Sequence, residues 1–293
     1  MSITRTRFST QARTWAIIAG LAALFVGIGG LVGGSSGIIL FAGIAVVFNL
    51  VMFWFSDKLA LKASKARPLE RSEAPELYRD VEELAGRAGV PTPKLYLIPS
   101  EQPNAFATGR SPKKAVVAVT EGLLRHLPRD QVRGVLAHEL AHVSNRDILV
   151  MTIAAMIGAA IAAIANILQF SLLFGGRNDN NNPIGAIGAI VAIVVAPLAA
   201  MILQLAVSRQ REYLADASAA QYIGEGRPLA EALATLQRGV EAVPVNVNPA
   251  TEALYIANPL SKRGMGALFS THPPMEERIR RLRALDAAHG IHY

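Results

Sequence analysis

The chain contains no cysteine among its 293 residues. Disulfide bonds and thiolate ligands are therefore excluded, and any tightly held metal ion must be bound by histidine and carboxylate side chains. No run of basic residues is interleaved with aromatic side chains, and no nucleic-acid-binding motif is present. The formal net charge of +7 therefore does not indicate a nucleic-acid partner.

Charged residues are also scarce, at 17% of the chain, and they are missing altogether from 14–56, 148–176 and 180–208. A membrane-spanning helix needs about 20 apolar residues, because the hydrocarbon core is about 30 Å thick. The first stretch is long enough for two spans separated by the glycine-rich segment 33–37, and each of the others accommodates one. We therefore predict four transmembrane helices, arranged as two hairpins, near 14–33, 38–55, 148–173 and 184–207.

Each predicted hairpin has an alternative interpretation. Three arginines precede the first apolar run, as in a signal peptide, but a second apolar run follows within a few residues, which favours an uncleaved hairpin. The second pair of apolar segments has the alternative of a buried helical hairpin within a globular fold. Its length and its content of Ala, Gly, Ile and Val favour the membrane.

The distribution of lysine and arginine predicts the orientation of the chain. These residues concentrate in the N-terminal tail and directly after the second predicted span, whereas the loops at 33–37 and 175–182 carry almost no charge. By the positive-inside rule, both termini and both polar blocks lie in the cytoplasm. The predicted organisation is a transmembrane hairpin over residues 1–56, a first polar part over 57–147, a second hairpin over 148–207 and a second polar part over 208–293.

The two polar blocks have mixed periodicity. The first block predicts helices and short strands, and the second predicts helices up to about residue 238 and a last basic helix after 271–274. The fold class is therefore α+β and predominantly helical, a membrane protein with a cytoplasmic domain that contains a small sheet. The elements predicted in the first block are a helix at 72–88, strands at 93–99, 104–109 and 115–119, and a helix at 129–145.

Residues 138–142 read His-Glu-Leu-Ala-His inside the last of these helices. Positions four apart share one face of a helix, so His138 and His142 can bind the same metal ion. Glu139 can then act on a water molecule beside that ion as a general base. This arrangement is typical of a zinc peptidase. The cytoplasmic domain is therefore expected to be a zincin-like peptidase domain, formed by the two polar parts 57–147 and 208–293.

A catalytic zinc ion needs one further protein ligand besides the two histidines. Glu212 is our candidate, because it follows the fourth predicted span as closely as His142 precedes the third, and a helical hairpin brings those two ends together. Asp216, one helical turn later, is expected to accept the free N–H of a ligand histidine. The alternative for Glu212 is a surface residue beside Arg209 and Arg211.

Two further groups have candidate roles in catalysis. His272, held on a turn by the following prolines, is a candidate for stabilising the oxyanion, with Arg209 and Arg211 as rivals; local packing at a helix start is the alternative. Asn104, Ala105 and Phe106 are candidates for an edge strand that pairs with an extended substrate, although the residues alone slightly favour an ordinary sheet strand. The histidines for which we predict no metal role are His126, His289 and His292.

The chain resembles the HtpX-type membrane metallopeptidases, relatives of the Ste24 prenyl-protein proteases. The motifs that carry the resemblance are residues 103–109, 138–142, 208–216 and 271–274, in that order. The resemblance implies an enzyme of the bacterial inner membrane that holds one zinc ion per chain at His138, His142 and Glu212, with Glu139 as the catalytic glutamate. It further implies an active site facing the cytoplasm and a role in the quality control of misfolded or damaged membrane proteins.

Two other functions remain open from the sequence. The first is a processing protease with one dedicated protein substrate. The second is a membrane scaffold without enzymatic activity, in which zinc is structural and has four protein ligands, including His272. A transporter is disfavoured, because the predicted spans contain no ionisable residue.

Overall fold

The computed structural model describes residues 3–153, 209–242 and 273–288. Of the predicted second transmembrane hairpin, 148–207, only residues 148–153 lie within these ranges. The elements in chain order are α1 (Ile3–Ala63), β1 (Arg67–Pro68), α2 (Pro75–Ala88), β2 (Lys94–Ile98), β3 (Ala105–Thr108), a 3₁₀ turn (Pro112–Lys114), β4 (Val116–Thr120), α3 (Glu121–His126), α4 (Arg129–Asn145), α5 (Arg209–Ile223), α6 (Arg227–Ala242) and α7 (Met275–Ala288).

The four strands form one small mixed sheet in the order β1-β2-β4-β3. β2 and β4 run parallel, with Leu95 opposite Val117, whereas β3 runs antiparallel to β4, with Phe106 opposite Ala118. β1 pairs with the other side of β2 in the antiparallel sense. The order makes β3 an edge strand of the described sheet, and the small sheet in a mostly helical chain agrees with the predicted fold class.

The two faces of the sheet pack against different parts of the chain, because side chains alternate along a strand. Ala105 and Ala107 of β3 face the larger core, which is built with the helices that follow the sheet. Phe106, on the opposite face, belongs to a smaller cluster with Ala60, at the end of α1. The edge strand is therefore held between α1 on one side and the helical layer on the other.

The larger core joins residues from before and after the predicted second hairpin. Leu136 and Leu140 of α4 lie in the same cluster as Leu233 of α6 and Leu282 of α7. Helices α4 and α6 approach so closely that a Cβ atom placed on Gly134 would lie 2.6 Å from the backbone nitrogen of Leu229. A side chain at position 134 has no space there, so the glycine permits this crossing.

Helix α1 is long but not straight. Gly34 has a φ of +55°, in the left-handed region that glycine adopts readily, and it lies within the segment where the sequence predicts a break between two spans. Among the described residues no single helical segment is long and apolar enough to cross a membrane. One pair of segments, Gly34–Phe48 and Phe53–Ala63, meets the requirement of length and composition only when the two, bent by 65°, are taken together.

Candidate metal centre and active site

Helix α4 brings the two predicted histidine ligands together. His138 and His142 are one turn apart and both buried, and their Nε2 atoms lie 3.1 Å from each other. Their rings are nearly perpendicular, at 87°. The Nε2 atoms of both imidazoles therefore approach one common point beside the helix.

The end of α4 supplies a carboxylate to the second of these rings. The helix stops at Arg146, whose φ of +63° is left-handed, and the backbone N–H of Asp147 then donates to the carbonyl oxygen of His142 at 2.9 Å. This turn folds the chain back, so that Asp147 Oδ2 lies 3.4 Å from His142 Nδ1. A carboxylate at Nδ1 favours the tautomer with its proton there, which leaves the Nε2 lone pair for a metal ion.

Helix α5 provides the third predicted ligand. The carboxylate oxygens of Glu212 lie 3.6 Å from His138 Nε2 and 3.5 Å from His142 Nε2, and its side chain is 1% exposed. The three residues form the one potential metal-binding cluster found among the described ranges, with ligand atoms within 4.8 Å of one another. Four ligands at about 2.0–2.1 Å in a tetrahedron lie roughly 3.3 Å apart, so these separations fit a zinc-sized ion.

Asp216, the predicted partner of a ligand histidine, lies one turn after Glu212. Its Oδ1 atom is 3.0 Å from His138 Nδ1, and its two oxygens also accept hydrogen bonds from Arg278 at 2.7 and 2.9 Å. Burial opposes the ionisation of Asp216, but the charge and hydrogen bonds of Arg278 outweigh it and lower the pKa of this carboxyl to about 2. Asp216 is therefore a carboxylate at neutral pH.

The same carboxylates make the centre attractive to positive charge. Burial and the charge of Arg278 oppose protonation of His138, yet its hydrogen bonds to Asp216 and Glu212 outweigh both and raise its pKa to about 9. In the protein without a metal ion, a proton therefore occupies this imidazole at neutral pH. A divalent cation competes for the same nitrogen, and it satisfies the surrounding carboxylates better because of its higher charge.

Glu139 lies beside the three candidate ligands and is bound by the edge strand. Its Oε2 atom accepts a hydrogen bond from the backbone N–H of Ala107 at 2.8 Å, and its side chain is buried. Burial raises the pKa of the Glu139 carboxyl above its ordinary value, although the neighbouring His138 and His142 and the Ala107 N–H act in the opposite direction. A buried carboxylate with a raised pKa accepts a proton more readily than a solvated one.

The residues proposed for the oxyanion role have different positions. His272 lies outside the described residues. Arg209 is exposed at the start of α5, whereas Arg211 is buried, with Nη1 4.0 Å from Asp147 Oδ1. Arg211 therefore lies on the His142 side of the centre, where it bridges the ends of α4 and α5.

Two residues that contact the candidate ligands, Asp147 and Arg278, are not predicted from the sequence. Asp147 follows the end of α4, and only its position five residues after His142 indicates that it can fold back. Arg278 of α7 is fully buried, with Nη2 3.3 Å from His138 Nε2 and Nη1 3.4 Å from Glu212 Oε2. Its four-residue spacing from the buried Leu282 and Asp286 is the signal that assigns it to the inner face of this basic helix.

Buried paired histidines and a glutamate, with a second glutamate bound to an adjacent edge strand, define a metallopeptidase. Residues 71–286 match the model of Peptidase family M48, and the chain belongs to this family. It is 50% identical over 280 residues to a Protease HtpX homolog of Syntrophobacter fumaroxidans, which covers 94% of this chain and 99% of that protein. The Protease HtpX homolog of Aquifex aeolicus is 50% identical, and the match covers 88% of this chain and 87% of that protein. The Protease HtpX homolog of Pyrococcus furiosus is 48% identical, and the match covers 95% of this chain and 97% of that protein.

The crystal structure of S. mikatae Ste24p shares the fold. The TM-score is 0.51 at 22% sequence identity, and the match covers 95% of this chain and 67% of that chain. Together these matches confirm the resemblance to HtpX-type proteases and the prediction of a metallopeptidase.

Proposed function

We propose that the chain is a zinc-dependent endopeptidase in which His138, His142 and Glu212 hold one zinc ion and Glu139 is the general base. The observation that carries this proposal is the spacing of the three candidate ligands, 3.1, 3.5 and 3.6 Å between their nearest ligand atoms, which suits a tetrahedral ion. A zinc ion held there supplies a Lewis acid that polarises the scissile carbonyl and lowers the pKa of water.

Glu139 performs the proton transfers. Its carboxylate takes a proton from the attacking water and afterwards delivers it to the leaving amine, and both steps need an ionisable group inside the site. The Ala107 N–H, at 2.8 Å from Oε2, fixes the orientation of this carboxylate relative to β3. The other oxygen, Oε1, is then the one that faces the reacting atoms.

Asp216 and Asp147 orient the two histidines through their Nδ1 atoms, at 3.0 and 3.4 Å. A fixed tautomer at each ring means that neither imidazole needs to rotate when the metal ion binds. Arg278 adds a positive charge beside Glu212 and Asp216, which stabilises both as carboxylates in a buried site.

The edge strand β3 is the proposed substrate-binding element. The backbone N–H of Thr120 donates to the Asn104 carbonyl oxygen at 2.9 Å, so by alternation Asn104 and Phe106 direct their backbone groups to β4. The backbone groups of Ala105 and Ala107 then point away from β4, consistent with the bond from Ala107 to Glu139, and both residues are buried in the structure. Of the three residues expected in the substrate strand, Ala105 is thus the one whose backbone groups are left for a substrate, which must displace the groups that bury them.

Pairing through backbone groups recognises any extended chain and demands little of its sequence. We therefore propose protein substrates that are unfolded at the cleavage point, and a role in removing misfolded or damaged membrane proteins. The uncharged segments of the sequence and the surplus of Lys and Arg in the polar blocks support a multi-pass location in the bacterial inner membrane, with the active site facing the cytoplasm.

The test is a zinc titration of Glu212→Ala in detergent, with Glu231→Ala as the matched control. Glu231 is an exposed glutamate on α6 and lies outside the centre. Loss of a group that is hydrogen-bonded to a metal ligand lowers metal affinity by roughly 10–100-fold. We expect Glu212→Ala, which removes a ligand itself, to lower the affinity for zinc by more than that. Casein cleavage should be lost in parallel, while Glu231→Ala keeps both. An unchanged content of one zinc per chain in Glu212→Ala would assign the third ligand elsewhere.

A further inference from the structure

The cytoplasmic end of the predicted span 38–55 carries aromatic residues. Trp54 and Phe55 are 50% and 47% exposed, and the exposed large apolar side chains of α1 extend from Ile38 to Leu59. Tryptophan is enriched where a membrane meets water, since its ring is apolar and its N–H is polar. Trp54 therefore marks the depth of the bilayer surface along α1, if α1 lies in the membrane as proposed above.

The turn between β3 and β4 contacts this tryptophan. The guanidinium carbon of Arg110 lies 4.2 Å from the centroid of the Trp54 ring, within the range of a cation–π interaction. The turn is closed tightly at its base: Gly109 has a φ of +136°, and a Cβ atom there would lie 2.4 Å from the carbonyl oxygen of Lys114. The position of the turn beside Trp54 is therefore fixed by the fold.

The turn and the adjacent helix face carry basic side chains without acidic partners. Lys113 and Lys114 of the turn are exposed, and so are Lys58 and Lys62, which follow Trp54 at successive four-residue steps on one face of α1. In the part of the chain that the structure describes, none of these four lysines has a carboxylate within ion-pair distance, and residues 109–115 contain no acidic residue. Exposed arginines nearby in sequence, such as Arg67 and Arg125, are instead paired with glutamates.

We propose that Arg110, Lys113, Lys114, Lys58 and Lys62 form a lipid-docking surface that binds the headgroups of anionic phospholipids. The proposal rests on the membrane location proposed above, and it adds the class of lipid and the residues that bind it. Unpaired lysines beside an interfacial tryptophan suit a phosphate headgroup whose acyl chains contact the exposed apolar residues of α1. A soluble phosphate has no apolar part to contact Trp54 and Leu59.

Lipid binding at this surface has a consequence for the active site. The turn continues directly from β3, and Phe106 of β3 packs in one cluster with Ala60 of α1. The proposed substrate-binding strand is therefore held at the membrane surface at its C-terminal end, through the turn, and on one face, through Phe106. A substrate segment that leaves the bilayer at this surface therefore reaches the edge strand over a short distance.

Trp54 serves as the reporter for the test, because Trp15 is the only other tryptophan of the chain. Full-length Trp15→Phe protein is placed in bilayers in which a fraction of either phosphatidylcholine or phosphatidylglycerol carries bromine on its acyl chains, which quenches tryptophan on contact. We expect brominated phosphatidylglycerol to quench Trp54 more strongly at equal mole fraction. The binding constant for phosphatidylglycerol should be about five-fold or more higher than that for phosphatidylcholine, as expected for lysines close to an anionic surface.

The variant Lys113→Gln/Lys114→Gln removes two charges of the lipid-docking surface and should lower this preference at least two-fold, as should 1 M salt. Arg79→Gln/Arg283→Gln is the matched control, since it removes two exposed charges from α2 and α7 and should leave the preference unchanged. Equal quenching by both lipids in the Trp15→Phe protein with all its lysines would overturn the lipid-docking surface while leaving the membrane location intact. Absence of quenching by either lipid would instead contradict the membrane location on which it depends.

Discussion

Each candidate ligand histidine has a carboxylate at its Nδ1 atom, and the two carboxylates come from different sources. Asp216 lies on the same helix as Glu212, so one helix supplies both a ligand and the partner of another ligand. Asp147 instead follows the helix that carries the histidines, and it depends on the left-handed turn at Arg146. Both rings are thereby oriented by chain segments outside the pentapeptide that contains them.

Asp147 offers a prediction at this scale. Asp147→Ala should bind zinc roughly 10–100-fold more weakly, because the His142 ring loses the group that fixes its tautomer. Asp147→Asn should recover most of the affinity, since its amide oxygen accepts the same hydrogen bond. Affinity is measured by competition with a chelating dye, and kcat and KM are recorded beside it.

Asp130→Ala is the control for Asp147, because Asp130 is an exposed acidic residue on the first turn of α4. Its zinc affinity should equal that of the unchanged protein. If Asp147→Ala also matches the unchanged protein, or if Asp147→Asn is as weak as Asp147→Ala, the orienting role of Asp147 is wrong.

The geometry among His138, His142 and Glu139 follows from the local period of a helix, so the sequence alone predicts it. Asp216 is one turn from Glu212 for the same reason. Arg278 is different: it is 140 residues from His138 in the chain, and its place at the centre depends on how α7 packs against α5. The four-residue spacing from Leu282 indicates only that Arg278 lies on the inner face of α7. Which residues that face meets depends on long-range packing, and the basic surroundings of Arg278 suggest a solvated face.

At the scale of the elements, the helix at 129–145 is predicted with the bounds that the structure gives to α4, because its apolar residues follow the helical period. Strands β2 and β4 are predicted within one residue at each end, since prolines or turn residues bound them. The edge position of β3 is one of the two interpretations that the sequence offers for 104–106, and the described sheet has it. The parallel pairing of β2 with β4 is not predicted, because it depends on which strands meet after the chain has crossed over, and strand composition does not specify that.

The close crossing of α4 and α6 gives the prediction at this scale. Gly134→Ala should destabilise the protein by roughly 1–3 kcal/mol, because the new methyl group meets the backbone of Leu229 and the two helices must separate. Gly86→Ala is the matched control on α2, where a Cβ atom meets nothing within 4 Å. That substitution should stabilise the protein by roughly 0.5–1 kcal/mol, the ordinary gain of alanine over glycine in a helix.

Thermal unfolding in one detergent, followed by circular dichroism, compares the two alanine variants. A lower midpoint for Gly134→Ala together with an equal or higher midpoint for Gly86→Ala is the expected result. Equal midpoints for both variants would mean that α4 and α6 tolerate a wider crossing than the structure indicates. Because α4 carries the candidate ligands, Gly134→Ala should also lower zinc affinity.

At the scale of the whole molecule, the sheet separates two environments. One face packs on the end of α1, whose exposed apolar residues suit a bilayer, and the other packs on the helices that hold the metal centre. The edge strand contacts both environments, and its backbone donates a hydrogen bond to Glu139, the proposed general base. This arrangement suits a peptidase whose substrates approach from the membrane.

The overall organisation is predicted from the sequence only in part. Uncharged stretches indicate membrane segments through their length alone. In the structure α1 continues through the glycine-rich segment where a break is predicted, although Gly34 within it is left-handed. The 65° bend between 48 and 53 interrupts the predicted span 38–55, and no proline or glycine in that interval signals it. Hydropathy reports whether a segment is apolar, and it contains no information on the direction of its axis.

The central claim is that the cluster of His138, His142 and Glu212 binds zinc for a hydrolysis in which Glu139 is the base. It is tested most directly by comparing the purified full-length protein with Glu139→Gln, with zinc content measured by mass spectrometry and casein cleavage measured beside it. Both proteins should hold one zinc ion per chain, and kcat/KM of the variant should fall by roughly 10²–10⁴-fold. Full cleavage by Glu139→Gln would contradict the assignment of the base, and absence of zinc from both proteins after metal-replete purification would contradict the claim as a whole.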